Sequence, residues 1–102
     1  MPTAWRPDPN DIVTTIAPHG AVVYAGGLFS NIGNAPRLYV AAVDADSGRA
    51  TAWASDASDY VRCLAVNDTT VYVSGYFNYI GGQARDGIAA VSAHSGIPTT
   101  WL

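Results

Sequence analysis

Lysine does not occur in this 102-residue chain, and glutamate and glutamine are absent or nearly so. These residues normally fill the exposed faces of helices, and no 3.6-residue apolar period is present either, so a helical fold is excluded. Basic charge is equally scarce. Five arginines are scattered singly among eight aspartates, for a net charge of −3. Nucleic acids and anionic membranes are bound through basic patches, so neither is expected as a partner. No apolar run approaches the roughly 18–20 residues of a membrane-spanning helix. The opening MPTAWRPDPN has no basic region followed by an apolar one, so a signal peptide is not expected there. Location is left open between a protein that stays inside the cell and a mature or excised piece of something larger. Cysteine occurs once, as Cys63, which rules out a disulfide within the chain or a cysteine metal cage. Its setting in the strand-like run YVRCLAV predicts a buried, inert thiol.

What is present is a core-forming composition, 49% hydrophobic and 13% charged, in a chain long enough for one small domain. It is also one unit written twice. Trp5, Trp53 and Trp101 are spaced by 48 residues. The same step superimposes VYAGGLFSNIGN (23–34) on VYVSGYFNYIGG (71–82), and AAVDADSG (41–48) on AAVSAHSG (89–96). Gly, Pro, Asn and Asp punctuate short runs rich in Val, Thr and Tyr, which reads as strands separated by turns. The first copy predicts strands at 12–17, 21–29, 38–44 and 49–53. The second predicts them at 60–66, 70–77, 88–93 and 97–101. Four antiparallel strands in a repeat of this length are the signature of a β-propeller blade. The expected fold is therefore all-β, with two four-stranded antiparallel blades per chain. Blade one spans 7–54, blade two spans 55–102, and residues 1–6 form a surplus outer-strand segment.

Two blades cannot close a ring, and an isolated pair leaves large apolar faces in water. The expected partner is the chain itself, in a cyclic head-to-tail assembly of three or four copies giving six or eight blades. PTAW (2–5) and PTTW (98–101) fall in the same repeat phase. The C-terminal segment is expected to complete blade two, and the N-terminal one to act as a strap at the junction between copies.

Residues 42–53, AVDADSGRATAW, resemble the tryptophan-docking motif of the quinoprotein-like propellers. The wider pattern VYxGGxFxxIGxxxR, then AAVDAxSG and TAW, is similar to bacterial cell-surface propeller repeats. The resemblance implies that Trp53, with Trp5 or Trp101 in the equivalent place, lies against a neighbouring blade. It implies that Asp44 accepts hydrogen bonds from its own turn and that Gly48 supplies a positive φ, with Gly96 in the same place in the second copy. Ser92 replaces the aspartate there, so either docking is looser in the second copy or the hydroxyl substitutes through a weaker local hydrogen bond. Quinone chemistry is not implied, because those enzymes are much longer and draw their ligands from several blades.

The pair Asp44 and Asp46 invites a calcium reading, but an EF-type loop needs an oxygen ligand at position 5, Gly at 6 and a carboxylate at 12. Here those positions are Gly48, Arg49 and Ser55, so a turn is expected and no metal. His19 and His94 are expected to be single exposed turn residues. Arg37 and Arg85 match in phase after Ile-Gly. Each is a candidate either to tie its long loop to carbonyls or aspartates or to bind an anionic or hydroxylated ligand. Tyr76 and Tyr79 are candidates for stacking on a sugar, whereas Phe29 and Phe77 match in phase and are expected to pack within the blades. No catalytic constellation recurs between the copies, and no cofactor is expected. The reading is a non-catalytic scaffold or binding module, with carbohydrate or protein as possible ligand. Lectin-like glycan binding and an enzyme site shared between subunits are the alternatives.

Overall fold

A computed structural model of the chain describes residues 9–99. Trp5, Trp101 and the segments 1–6 and 101–102 lie outside the described residues. The fold is all-β, with ten strands among the described residues. In the first half these are β1 (Val13–His19), β2 (Val22–Gly27), β3 (Asn31–Ile32), β4 (Ala35–Pro36) and β5 (Val40–Asp44). The second half repeats the order as β6 (Val61–Val66), β7 (Thr70–Gly75), β8 (Tyr79–Ile80), β9 (Gln83–Ala84) and β10 (Ile88–Ser92). The first sheet has the order β1-β2-β5 and the second β6-β7-β10, each antiparallel throughout. The β-branched residues of β2, β5, β7 and β10 suit this pleated, buried setting.

The structure differs from the sequence reading in three places. First, among the described residues the fourth strand of each half is reduced to a single bridge, Val43↔Ala50 and Val91↔Pro98. Two hydrogen bonds flank the first bridge, Asp44 N to Arg49 O and Thr51 N to Ala42 O. The outer edge of this segment meets the hairpin: the Ala50 N–H donates to Gly33 O at 2.9 Å, and the Thr51 carbonyl accepts from the Arg37 guanidinium. In the second half Ser92 N to Ile97 O and Thr99 N to Ala90 O flank the bridge in the same way, and the outward-facing position of Ala50 is taken by Pro98, which has no N–H to offer the hairpin.

Second, the long loops at 30–37 and 78–85 are not irregular but contain the two-stranded ladders β3-β4 and β8-β9. Their two-residue turns, Gly33-Asn34 and Gly81-Gly82, have positive φ at both positions, as type I′ hairpins require.

Third, Cys63 is exposed, not buried. A register shift between Val61 and Cys63 marks a bulge in β6. A one-residue bulge reverses the side on which the following residues fall. Leu64 and Val66 thus turn toward the core, and Cys63 joins Ala65 on the opposite face.

The main core lies between the sheets. Tyr24, Val40 and Ala42 of the first sheet meet Val61, Val71, Val73, Ala89 and Val91 of the second. Trp53 and Ala57, from the connection, complete this layer. A smaller cluster of Ala25, Phe29, Ile32, Ala41 and Val43 sits on the other side of the first sheet. The sheets approach most closely along β1 and β6, with β2 also against β6.

Candidate functional site

The connecting segment 53–58 is where the two sheets are joined, and Trp53, Asp56 and Ala57 make the contacts that hold them. Trp53 stands edge-on to Tyr24 of the first sheet, with ring centroids 5.3 Å apart and planes at 85°. Its indole N–H donates to the Ser92 carbonyl of the second sheet at 2.9 Å. One side chain therefore grips both halves, satisfying its polar atom while it buries its rings. Burial beneath this contact pushes the Tyr24 phenol above its ordinary pKa.

Three residues on, Asp56 repeats the pattern with its backbone and carboxylate. Its Oδ1 accepts from the Leu38 N–H at 2.8 Å, and its carbonyl accepts from the Gly81 N–H at 3.1 Å. The Ala57 N–H donates to Leu38 O, and Ala57 bridges to Ile80. Ser55 is fully buried between them. Two more links cross the junction at its edge. The Thr14 hydroxyl reaches Val61 O at 2.6 Å, and His19 Nε2 lies 3.0 Å from Asp68 Oδ1.

The face of the first sheet that enters this junction carries Thr15, Ala17, Tyr24, Gly26, Val40 and Ala42. Gly26 sets how closely the sheets approach. A Cβ built there would lie 2.5 Å from Val61 Cγ1, closer than side-chain carbons ever pack. Replacing Gly26 with serine is expected to lower stability by about 1–3 kcal/mol through overpacking. Chemical denaturation would show this as a reduced midpoint at unchanged slope.

Forty-eight residues along, the same positions are Cys63, Ala65, Tyr72, Ser74, Ile88 and Ala90, on the outward face of the second sheet, where all but the buried Ala90 and half-buried Ser74 are exposed. This face is apolar, and a shallow pocket lined by Cys63, Ala65, Tyr72, Ser74 and Ile88 runs across it. It was not singled out from the sequence, although Tyr24 and Tyr72 occupy one repeat phase and could have marked it.

The turn at Asp44 is held from within. Asp44 Oδ1 accepts from Asp46 N at 2.7 Å and from Ser47 N at 3.1 Å, and Gly48 has a φ of 78°. In the second copy Ser92 Oγ accepts from His94 N at 3.1 Å and Ser95 N at 3.2 Å, with Gly96 at 75°. The hydroxyl makes the same pair of bonds, slightly longer than the carboxylate's. The Asp44 carboxylate is thus oriented toward its own backbone as an Asx turn.

Arg37 and Arg85 are brought to equivalent places. Arg37 donates to the carbonyls of Pro36 and Thr51, and Arg85 to those of Ala84 and Thr99. Each guanidinium clips its hairpin to the outer segment through backbone carbonyls, Arg85 also reaching Gln83 Oε1 at 3.4 Å, and among the described residues no aspartate is a hydrogen-bond partner of either. Tyr76 and Tyr79 are both exposed at the end of the second sheet. Tyr76 is not alone. Its ring lies 4.6 Å from that of Tyr60, tilted by 58°, and the Tyr76 hydroxyl is the main cause of a raised Tyr60 pKa. In the first half this place is taken by Ile12 and Leu28, so the tyrosine pair belongs to one copy. His94 is exposed in its turn, and Phe29 and Phe77 are buried. Among the described residues no three metal-binding side chains come together.

Neither a scan against protein-family models nor searches of curated proteins and of solved structures finds a match to this chain.

Proposed function

We propose that this chain is a non-catalytic β-propeller building block. Each chain supplies two blades, and three or four copies close into a ring by head-to-tail association. The observation that carries this reading is one surface seen in two states. Within the chain, Tyr24 is 6% and Val40 0% exposed, because the second sheet covers them. Their equivalents Tyr72 and Ile88 are 39% and 51% exposed. On the complementary surface Leu64 packs into the inter-sheet core, whereas its counterpart Ile16 is 59% exposed. A chain that joins its own halves through these surfaces thus leaves Tyr72 and Ile88 exposed on one outer side and Ile16 on the other, while Ala25, Ala41, Val43 and Ala90 in the same two faces are buried. Such a heterologous pair builds a ring when the rotation per step closes. The close approach of β1 and β6 supports the same reading, since the inner strands of blades converge on a common axis.

Native mass spectrometry or sedimentation velocity tests the assembly. The wild-type chain is expected as a trimer or tetramer. Tyr72→Lys places a charge in the proposed contact and is expected to shift the population to monomer by at least tenfold in dissociation constant. It should leave the far-ultraviolet spectrum unchanged, because the face is exposed in the single chain. A wild-type protein that stays monomeric at high concentration would refute the proposal.

A further inference from the structure

The first sheet shows how an incoming segment docks beside the junction, and among the described residues nothing fills the same place on the second sheet. At Leu38 the backbone is held on both sides: its N–H donates to Asp56 Oδ1 at 2.8 Å, and its carbonyl accepts from Ala57 N at 3.1 Å. The equivalent residue is Asp86. Among the described residues its N–H and carbonyl make no hydrogen bond, and it lines a cleft of about 340 Å³ with Ala84, Arg85 and Ile88. The segment that fills this place in the first half is 53–57, Trp-Ala-Ser-Asp-Ala. The residues 48 positions before it are 5–9, Trp-Arg-Pro-Asp-Pro, with aspartate in register with aspartate and tryptophan with tryptophan.

We infer that the cleft beside Asp86 receives residues 7–9 of a second copy, beyond the register taken by the receiving chain's own segment 97–101, with the Asp8 carboxylate of that copy accepting the Asp86 N–H. This rests on the head-to-tail reading above and adds the contact that fixes its register. A carboxylate accepting a backbone N–H makes a charge-assisted bond, stronger than a neutral one. The dock between copies differs from the internal one in two ways. Proline at position 9 has no N–H, so the second bond of the pair, Ala57 N to Leu38 O, has no counterpart. Asp86 in place of Leu38 also sets a second carboxylate nearby. Both changes make the contact between copies weaker than the contact within one. That matches Ser74 standing where Gly26 permits the closest approach.

Two measurements on the full chain test this. Asp8→Ala is expected to weaken association about tenfold by sedimentation velocity, the loss of one hydrogen bond to a charged group. In a Cys63→Ser background, the pair Asp8→Cys and Asp86→Cys is expected to give disulfide-linked oligomers on a non-reducing gel, while Asp56→Cys with Leu38→Cys links within one chain. If Tyr72→Lys dissociates the assembly but Asp8→Ala does not, and the 8–86 pair fails to cross-link, the docking of 7–9 is wrong while the face-to-face association stands. If neither Tyr72→Lys nor Asp8→Ala changes the native mass, both readings fall together.

Discussion

Trp53→Ala is expected to destabilise the fold by about 3–5 kcal/mol, the range for truncating a buried large aromatic to alanine. Small domains hold only about 5–15 kcal/mol in total, so this single change removes a large share. The reason is position as much as size. Trp53 is 7% exposed and is shared between the sheets, resting on Tyr24 and hydrogen-bonded to the Ser92 carbonyl. Truncation opens a cavity at the joint and removes one of two donors to that carbonyl, the other being the Gly96 N–H. Trp53→Phe separates the two contributions, keeping much of the packing and losing the N–H, and is expected to fall between wild type and alanine. Urea unfolding followed by circular dichroism reads both. Stability of Trp53→Ala within 1 kcal/mol of wild type would show that the sheets do not depend on this joint.

The second large effect is expected at Gly33, where Gly33→Ala should cost about 2–5 kcal/mol. Gly33 has a φ of 62°, a conformation that costs other L-residues about 1–2 kcal/mol. The added methyl also has nowhere to go. Its position lies 2.2 Å from Ala50 N and 2.9 Å from Ala50 Cα, both of them backbone atoms that cannot rotate aside. The Gly33 carbonyl accepts the Ala50 N–H, so displacing this turn also pulls on the outer segment. Gly82, with φ of 82°, provides the control, because open space surrounds it and only the conformational part of the penalty applies. Gly82→Ala should therefore cost less than half as much. Equal losses at the two sites would mean that the backbone contact at Gly33 relaxes freely.

The order of strands was legible because turn residues bracket short β-branched runs, and because the chain repeats them 48 residues apart. The Asp44 turn was equally legible, since the acceptor, the donors and the glycine lie within five residues of one another. Cys63 was misplaced for a reason that alternation cannot detect. A bulge at Val61–Cys63 inserts one residue and reverses every later side chain, and no residue in YVRCLAV announces it. The hairpins β3-β4 and β8-β9 did have a signal. Gly33-Asn34 and Gly81-Gly82 are the dipeptides of a two-residue hairpin turn. Strands of two residues have no periodicity to flank it, so the loop reading prevailed. Asp56 was hidden differently. Its partner is a backbone N–H 18 residues away, and only the folded chain brings the two together. The same holds for Tyr24, whose exposed counterpart Tyr72 looks identical in sequence.

The bulge that turns Cys63 outward also gives the molecule its own reporter. The chain contains one cysteine, and it shares a face with Tyr72, Ser74 and Ile88. Thiol alkylation requires reagent to reach the sulfur, so the rate of modification of the unaltered protein measures how open that face is. The rate can be followed against protein concentration with no mutation and no label. A thiol that becomes progressively slower to react as concentration rises signals a surface being covered, and one whose rate stays constant signals a surface left to solvent.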